Sequence, residues 1–289
     1  MSFRNVSDIA DAVQAGRVHT QNYFKSTYPF PGASQWVDGA VCSGTPIYQA
    51  YVGSPNVSYA LFNNGNAGIY TGPELPAAKA KYLLSYNFSA SGAGTPASAF
   101  LLDYLIFYPF IDCDSTEEQQ MDNASALPRY EDGTGVVCFI VTQVPNNSGA
   151  AASMTIQYLD TAENGETVVV QVLGNTVIGT LMNTTEVGRN AGLSARSPFC
   201  QLNNGTLGIR SIKNVRLSAG IGGFATLVLA RPIHLFPIWE QQTFTEKTFV
   251  KETGTLPRIE NGAHLNLLFN AGSGAGLQPM AGQFTFIWS

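Results

Sequence analysis

The sequence predicts an all-β protein: two tandem jelly-roll-like β-sandwich domains from an internal duplication, behind a short N-terminal helix and an extended arm. Three observations lead there. First, Leu127-Pro128-Arg129-Tyr130-Glu131-Asp132-Gly133 returns as Leu256-Pro257-Arg258-Ile259-Glu260-Asn261-Gly262, an offset of 257 − 128 = 129 residues. Second, the flanks of both copies keep one order: a strand-like run, a Gly-rich turn, an apolar run closing on an aromatic-proline corner, the Leu-Pro-Arg element, another apolar run, a small-residue loop and a closing alternating strand. Third, short runs rich in Val, Ile, Thr, Tyr and Phe recur between Asn-Gly and Asp-Gly turns with no helices between them, which favours sandwiches over a parallel α/β sheet. The predicted division is 1–35 for helix and arm, 36–160 for the first sandwich and 161–289 for the second.

From the N-terminus, Ser7 to Gly16 reads as a helix, with Ser7 or Asp8 as its cap, Ile9 and Val13 on one face, and Gly16 as its stop. It is too short to stand alone and must pack on something. Arg17 to Ser34 is an arm carrying Tyr23, Phe24, Tyr28 and Phe30. It either straps its own sandwich or docks on another subunit. The paired strand-like runs are Tyr82–Ala90 with Ile212–Ala219, Phe100–Ile111 with Ala225–Trp239, Val136–Val141 with Leu265–Phe269, and Met154–Tyr158 with Gln283–Trp288. Glu166 to Leu173 and Val177 to Met182 read as two further strands joined by a Gly174-Asn175 hairpin turn. In the Leu-Pro-Arg element the proline belongs at a strand start or edge, because it has no N–H to give a ladder. Arg129 and Arg258 are each expected to pair with an acid at that corner, the Glu two residues on being the nearest.

Composition narrows the function. Apolar residues make up 45% and charged residues only 12%, about half the usual share, so the surface is polar through Ser, Thr, Asn, Gln and Gly or is partly lost to neighbouring subunits. A formal net charge of −5 without a Lys/Arg cluster gives no footing for a nucleic-acid partner. The longest apolar run, Ala99 to Ile111, is broken by Asp103 and Pro109, and no membrane partner is expected. The first residues lack a secretory apolar core, which points to a protein made in the cytoplasm. Cys42, Cys113, Cys138 and Cys200 have no metal or redox spacing and read as buried free thiols.

No catalytic, cofactor-binding or metal site is predicted. His19, His234 and His264 stand far apart in the sequence and outside any metal-ligand spacing. Gly220-Ile221-Gly222-Gly223-Phe224-Ala225 imitates a dinucleotide fingerprint, but a strand rather than a helix is expected to follow it. Asp112, Asp114, Glu117, Glu118 and Asp122 form the densest acidic patch, read as a solvated loop or subunit contact, with Ca²⁺ as the alternative. Trp36 and Trp239 are core residues or, if exposed, platforms for sugar rings. Two carboxylates brought together by folding would make a glycan hydrolase, the enzyme alternative.

The run Asp103 to Asp112, with Met121-Asp122-Asn123 and Leu127-Pro128-Arg129-Tyr130, resembles a family of tailed-bacteriophage virion proteins. Arg210-Ser211-Ile212, Leu227-Val228-Leu229 and Leu256-Pro257-Arg258-Ile259 look like the same family, so the resemblance covers most of the chain after the arm. It implies a non-enzymatic particle component assembled in the host bacterial cytoplasm. The preferred role is a capsid cement or decoration protein whose partners are the major capsid protein and copies of itself, as dimer or trimer. A tail or baseplate component that meets carbohydrate on the host surface is the rival.

Overall fold

The computed structural model describes residues 3, 5–25, 35–41, 51–63, 68–76, 79–90, 98–146, 152–174, 176–184, 197–237, 244–251, 256–270 and 279–289. The chain opens with α1 (Val6–Gln14), β1 (Val18–Lys25), β2 (Trp36–Asp38), β3 (Tyr59–Ala60), β4 (Lys81–Ala90), β5 (Ser98–Asp112) and β6 (Gln119–Gln120). It continues with β7 (Val137–Val144), β8 (Ala152–Asp160), β9 (Gly165–Val172), β10 (Asn183–Thr184) and β11 (Ile209–Leu217). The last elements are β12 (Phe224–Pro237), β13 (Thr245–Thr248), β14 (Arg258–Ile259), β15 (His264–Asn270) and β16 (Met280–Trp288). The all-β expectation is met, and all eight duplicated runs contain strands.

Three sheets form. The central one runs β2-β15-β5-β12-β7, with β3 added on β5; one outer sheet runs β1-β16-β4-β13, with β14 on β4; the other runs β10-β9-β8-β11-β6. β5 and β12 are 15 and 14 residues long and pair antiparallel over their whole length. Leu101–Tyr108 of β5 and Ala225–Ala230 of β12 are buried at every position and almost all apolar, which fits stretches covered on both faces. β8 instead alternates buried and half-buried residues along its whole length, the pattern of a sheet with one face on the core.

The side-chain directions show how the layers stack. Leu101, Leu265 and Leu267 of the central sheet meet Leu83, Phe88, Phe284 and Phe286 of the first outer sheet in one core. Leu105, Tyr108, Cys138 and Leu229 meet Met154, Ile156, Val170 and Ile212 of the second outer sheet in another. Leu101, Asp103 and Leu105 alternate along β5 on one face, so both outer sheets pack on that face, side by side. The opposite face carries Leu102, Tyr104, Phe139 and Val228 and is covered by Tyr51, Leu61, Leu181 and Phe199 from the connections, with Tyr59 of β3 beside them. A register shift between Leu229 and Ala230 lets consecutive Leu105 and Ile106 both enter the second core.

Segments 36–160 and 161–289 interleave rather than closing one sandwich each. β5 lies between β15 and β12, both from the later segment, and β12 lies between β5 and β7, both from the earlier one. The outer sheets mix the segments too, since β4 pairs β16 and β8 pairs β11. Strand order nevertheless repeats: β15-β5-β12-β7 has the same sequence of element types from either end, and β16-β4 corresponds to β8-β11.

Local details differ from expectation where tertiary bonds compete. The helix cap is Asn5, whose side chain accepts the Asp8 N–H at 2.9 Å, and Ala12 is the buried helix residue. Ile9 is half-buried and Val13 exposed, while Gly16 takes φ +68° just past the helix end. The part of the arm at Val18–Lys25 is a strand on β16, with Tyr23 buried, so this stretch straps its own sandwich; Tyr28 and Phe30 lie outside the described residues. Val177–Met182 is no strand, and Val172 pairs with Asn183 across residues 173–182. That segment instead bonds both edge strands of the central sheet, β7 through Thr142 N–H to Thr180 O and β2 through Leu181 N–H to Trp36 O. Gly133 has φ +78°, and a Cβ there would stand 2.7 Å from the Ile209 carbonyl, so the Asp132-Gly133 turn needs its glycine.

Interleaving has a direct consequence for dissection. A separately expressed 161–289 segment leaves β12 without either central partner, and we expect no cooperative thermal unfolding and no dispersed amide spectrum from it. The full chain should melt in one transition by calorimetry.

Candidate functional site

The chain's most concentrated polar chemistry lies on consecutive residues of β5 that face opposite ways. Asp103 faces the side shared by the two outer sheets. The Arg129 guanidinium, carried there by the Leu-Pro-Arg corner, donates from Nε to Asp103 Oδ2 at 2.8 Å and from Nη2 to Asp103 Oδ1 at 2.7 Å. Nη2 also donates to the carbonyls of Leu61 and Tyr104, and the His264 backbone N–H donates to Asp103 Oδ1 at 3.0 Å. Asp103 has no exposure and Arg129 is 8% exposed. Burial pushes the Asp103 carboxyl up from its ordinary value, while the Arg129 pair and the His264 N–H pull it back. The two-point guanidinium contact keeps this carboxylate ionised at neutral pH.

On the other face, Tyr104 donates its hydroxyl to Asp38 Oδ1 at 2.7 Å. Asp38 also accepts the Tyr51 hydroxyl, the Ala40 N–H and the Asn266 amide. Burial raises its carboxyl, and these donors oppose the rise. Burial and the adjacent Asp38 push the Tyr51 phenol well up, so it serves as a neutral donor. Both clusters therefore act as buried ties between elements. Asp38 joins β2, β5, β15 and the 51–61 connection; Asp103 joins β5, β15 and the Leu-Pro-Arg corner.

The residues singled out from sequence do not converge on one place. His19 stacks edge-on with Tyr70, His234 lies against Phe249, and His264 sits buried in β15 with Nδ1 3.3 Å from the Phe62 carbonyl. Burial, aided by the Arg129 charge, drives the His264 imidazole down to about 4. In the acidic patch, Asp112 accepts its own loop's Asp114 N–H and Glu118 accepts from Asn214. Among the described residues no three His, Cys, Asp or Glu side chains are placed to hold a metal ion. Two backbone N–H groups of the 220–225 turn, from Ile221 and Gly222, are spent on the Cys113 carbonyl, and β12 follows as a strand. Trp36 is buried against Phe100, which removes it as a sugar platform; Trp239 lies outside the described residues. Cys113, Cys138 and Cys200 are free and buried, and Cys42 lies outside the described residues.

The second arginine behaves differently from the first. Arg258 pairs with Glu260 at 2.9 Å, the partner expected two residues on, in a largely exposed contact. Arg129 bypasses Glu131 for Asp103.

The surface feature that stands out is apolar. At one end of the central sheet Phe110 and Phe224 meet edge-on at 5.9 Å, Val144 pairs with Phe224 in the ladder, and Val52 is 74% exposed close by. Tyr51, the neighbour of Val52, accepts the Gln143 amide on its carbonyl, and Gln143 in turn accepts the Phe110 N–H at 2.8 Å. Phe110 holds φ +55°, an uncommon conformation for a bulky side chain.

Two measurements check the interior. Arg129→Met should cost about 3–5 kcal/mol in urea unfolding, since it strands a buried carboxylate, whereas Arg258→Met should stay within about 0.5 kcal/mol. His264 is held neutral, so its contribution is complete above its unfolded value of 6.5 and is lost as pH falls toward about 4, an effect of about 3 kcal/mol. Asp38 and Asp103, with raised carboxyls, act in the opposite sense over that range, so the wild type must be compared with His264→Gln. The stability gap between them should shrink on acidification from pH 6.5 to 4.

No helix among the described residues is long and apolar enough to cross a membrane. No protein-family model matches the chain, and no curated protein matches it. Among solved structures it shows weak similarity to the infectious bursal disease virus Gt strain and to the VP2 subviral particle of infectious bursal disease virus. Each is 11% identical at a TM-score of 0.17, covering 94% of this chain and 80% of the other. The Gx strain of that virus aligns at 10% identity with the same TM-score and coverage. So loose a superposition carries no argument about role.

Proposed function

We propose that the protein is a non-enzymatic structural component of a virus particle, a cement or decoration protein that binds the outside of the shell. The observation that carries this reading is the apolar end of the central sheet, Val52, Phe110, Val144 and Phe224, on a chain with only 12% charged residues. Exposed apolar side chains gathered at one end of a rigid sheet suit a permanent contact better than a free surface. The shared central sheet supports the same reading, because a shell-stabilising protein must transmit load without local give. Its partners are then the major capsid protein and further copies of this chain, repeated by the symmetry of the particle. The sequence resemblance to tailed-bacteriophage virion proteins points the same way, with assembly in the host cytoplasm.

Copy number in purified particles tests this, by quantitative mass spectrometry against the major capsid protein. Cement requires a number comparable to the shell protein. A handful of copies would move the chain to the tail or baseplate, and absence from particles would overturn the virion role. Phe224→Glu should weaken attachment to shells by at least about tenfold, the cost of desolvating a charge in an apolar contact, without lowering the melting temperature of the free protein.

A further inference from the structure

We propose that Cys138 and Cys200 are a latent cross-link, a pair of thiols that closes to a disulfide when the protein meets an oxidising medium. Cys138 lies in β7 and points into the second core; Cys200 lies in the irregular stretch that begins at Ser197, and its side chain enters the same core. The Cys200 N–H donates to the Cys138 carbonyl at 2.8 Å. The same segment is fixed a second time through Asn183, whose Nδ2 donates to the Pro198 carbonyl at 2.8 Å and whose Oδ1 accepts the Ile140 N–H at 2.8 Å. A backbone N–H···O=C bond of 2.8 Å with standard covalent lengths on either side keeps the two Cα atoms within about 7 Å, the span a disulfide can bridge. Both side chains enter the second core, so the two sulfurs lie in one cluster beside that backbone bond. Cys138 has no exposure and Cys200 3%. Cys113 is a natural contrast: it is also buried, but its thiol is taken by the Ile111 carbonyl at 3.7 Å.

The chemistry balances with a low-molecular-weight disulfide, RSSR, as oxidant. The Cys200 thiolate attacks one sulfur of RSSR and expels RS⁻, and the Cys138 thiolate then attacks the Cys200 sulfur of the mixed disulfide and expels the second RS⁻. Two S–H bonds are lost, one S–S bond forms, and RSSR leaves as two RSH. The neighbouring Cys138 and burial hold the Cys200 thiol well above its usual range, so exchange waits on local opening and quickens with pH. A reducing cytoplasm keeps the pair open. Closure pins the Ser197–Cys200 segment to the edge of β7 and removes loop entropy from the unfolded chain between residues 138 and 200, raising the melting temperature by about 10 °C. This inference is independent of the virion role.

The test is to treat the folded full chain with oxidised glutathione at mildly alkaline pH, quench with iodoacetamide under denaturing conditions, and map the peptides by mass spectrometry alongside thermal melts. The expected result is a Cys138–Cys200 linked peptide, a chain lighter by two hydrogens, and a melting temperature higher by about 10 °C that reductant reverses. Cys200→Ser should give no linked peptide and no upward shift. Alkylation of both cysteines after oxidation, or linkage of either to a different cysteine, would overturn the proposal. Should Cys200→Ser misfold, the wild-type peptide map decides alone.

Discussion

Everything in this fold hangs on the antiparallel pairing of β5 with β12. These two strands are the longest among the described residues, and each contributes residues to both sandwich cores and to the covered opposite face. A strand stretch buried on both sides must be apolar, and that requirement explains the unbroken burial of Leu101–Tyr108 in β5, with Asp103 the one charge among them, and of Ala225–Ala230 in β12. The two outer sheets are then attached to a common wall, and neither can be stripped away without baring half of it.

At the midpoint of that wall the chain departs from its own rule. Asp103 is charged and has no exposure, and the Arg129 guanidinium, helped by the His264 N–H, makes it tolerable. A buried pair of this kind adds little to stability compared with well-packed apolar residues, yet it is unforgiving of misplacement, because an unpaired charge there costs several kcal/mol. The pair sits where β5, β15 and the Leu-Pro-Arg corner must meet, and together with the Asp38 cluster on the opposite face it ties five separate parts of the chain to one register. Polar interactions here specify the arrangement, while the apolar cores supply the driving force.

Much of this was legible in the sequence, and the exceptions have physical causes. Local patterns gave the strand positions, the N-terminal helix and the Gly-bearing turns, because these depend on residues close in the chain. Strand partners depend on residues more than a hundred apart, so the interleaving of segments 36–160 and 161–289 left no local trace. Asp103 was visible as a break in the apolar run from Ala99 to Ile111, and that anomaly was the available signal for a buried partner. Its partner was not readable, since Glu131 is nearer to Arg129 in sequence and Arg258 does take the equivalent Glu260. Asp38, Tyr51, Tyr104 and Asn266 carry no spacing at all; only the fold assembles them.

The interleaved strand order also governs how the protein comes into being. Leu101 of β5 has Leu267 as its ladder partner, so the ribosome must add a further 166 residues (267 − 101) before that contact exists. At about 5–20 residues per second, β5 stays exposed on the order of ten seconds or more as a bare, apolar strand. Such a chain folds late and all together, with high contact order and a long interval in which unpaired strands of neighbouring nascent chains can find one another. Its greatest hazard is therefore during synthesis, and its yield in a crowded cell depends on what shields β5 until β12 and β15 arrive.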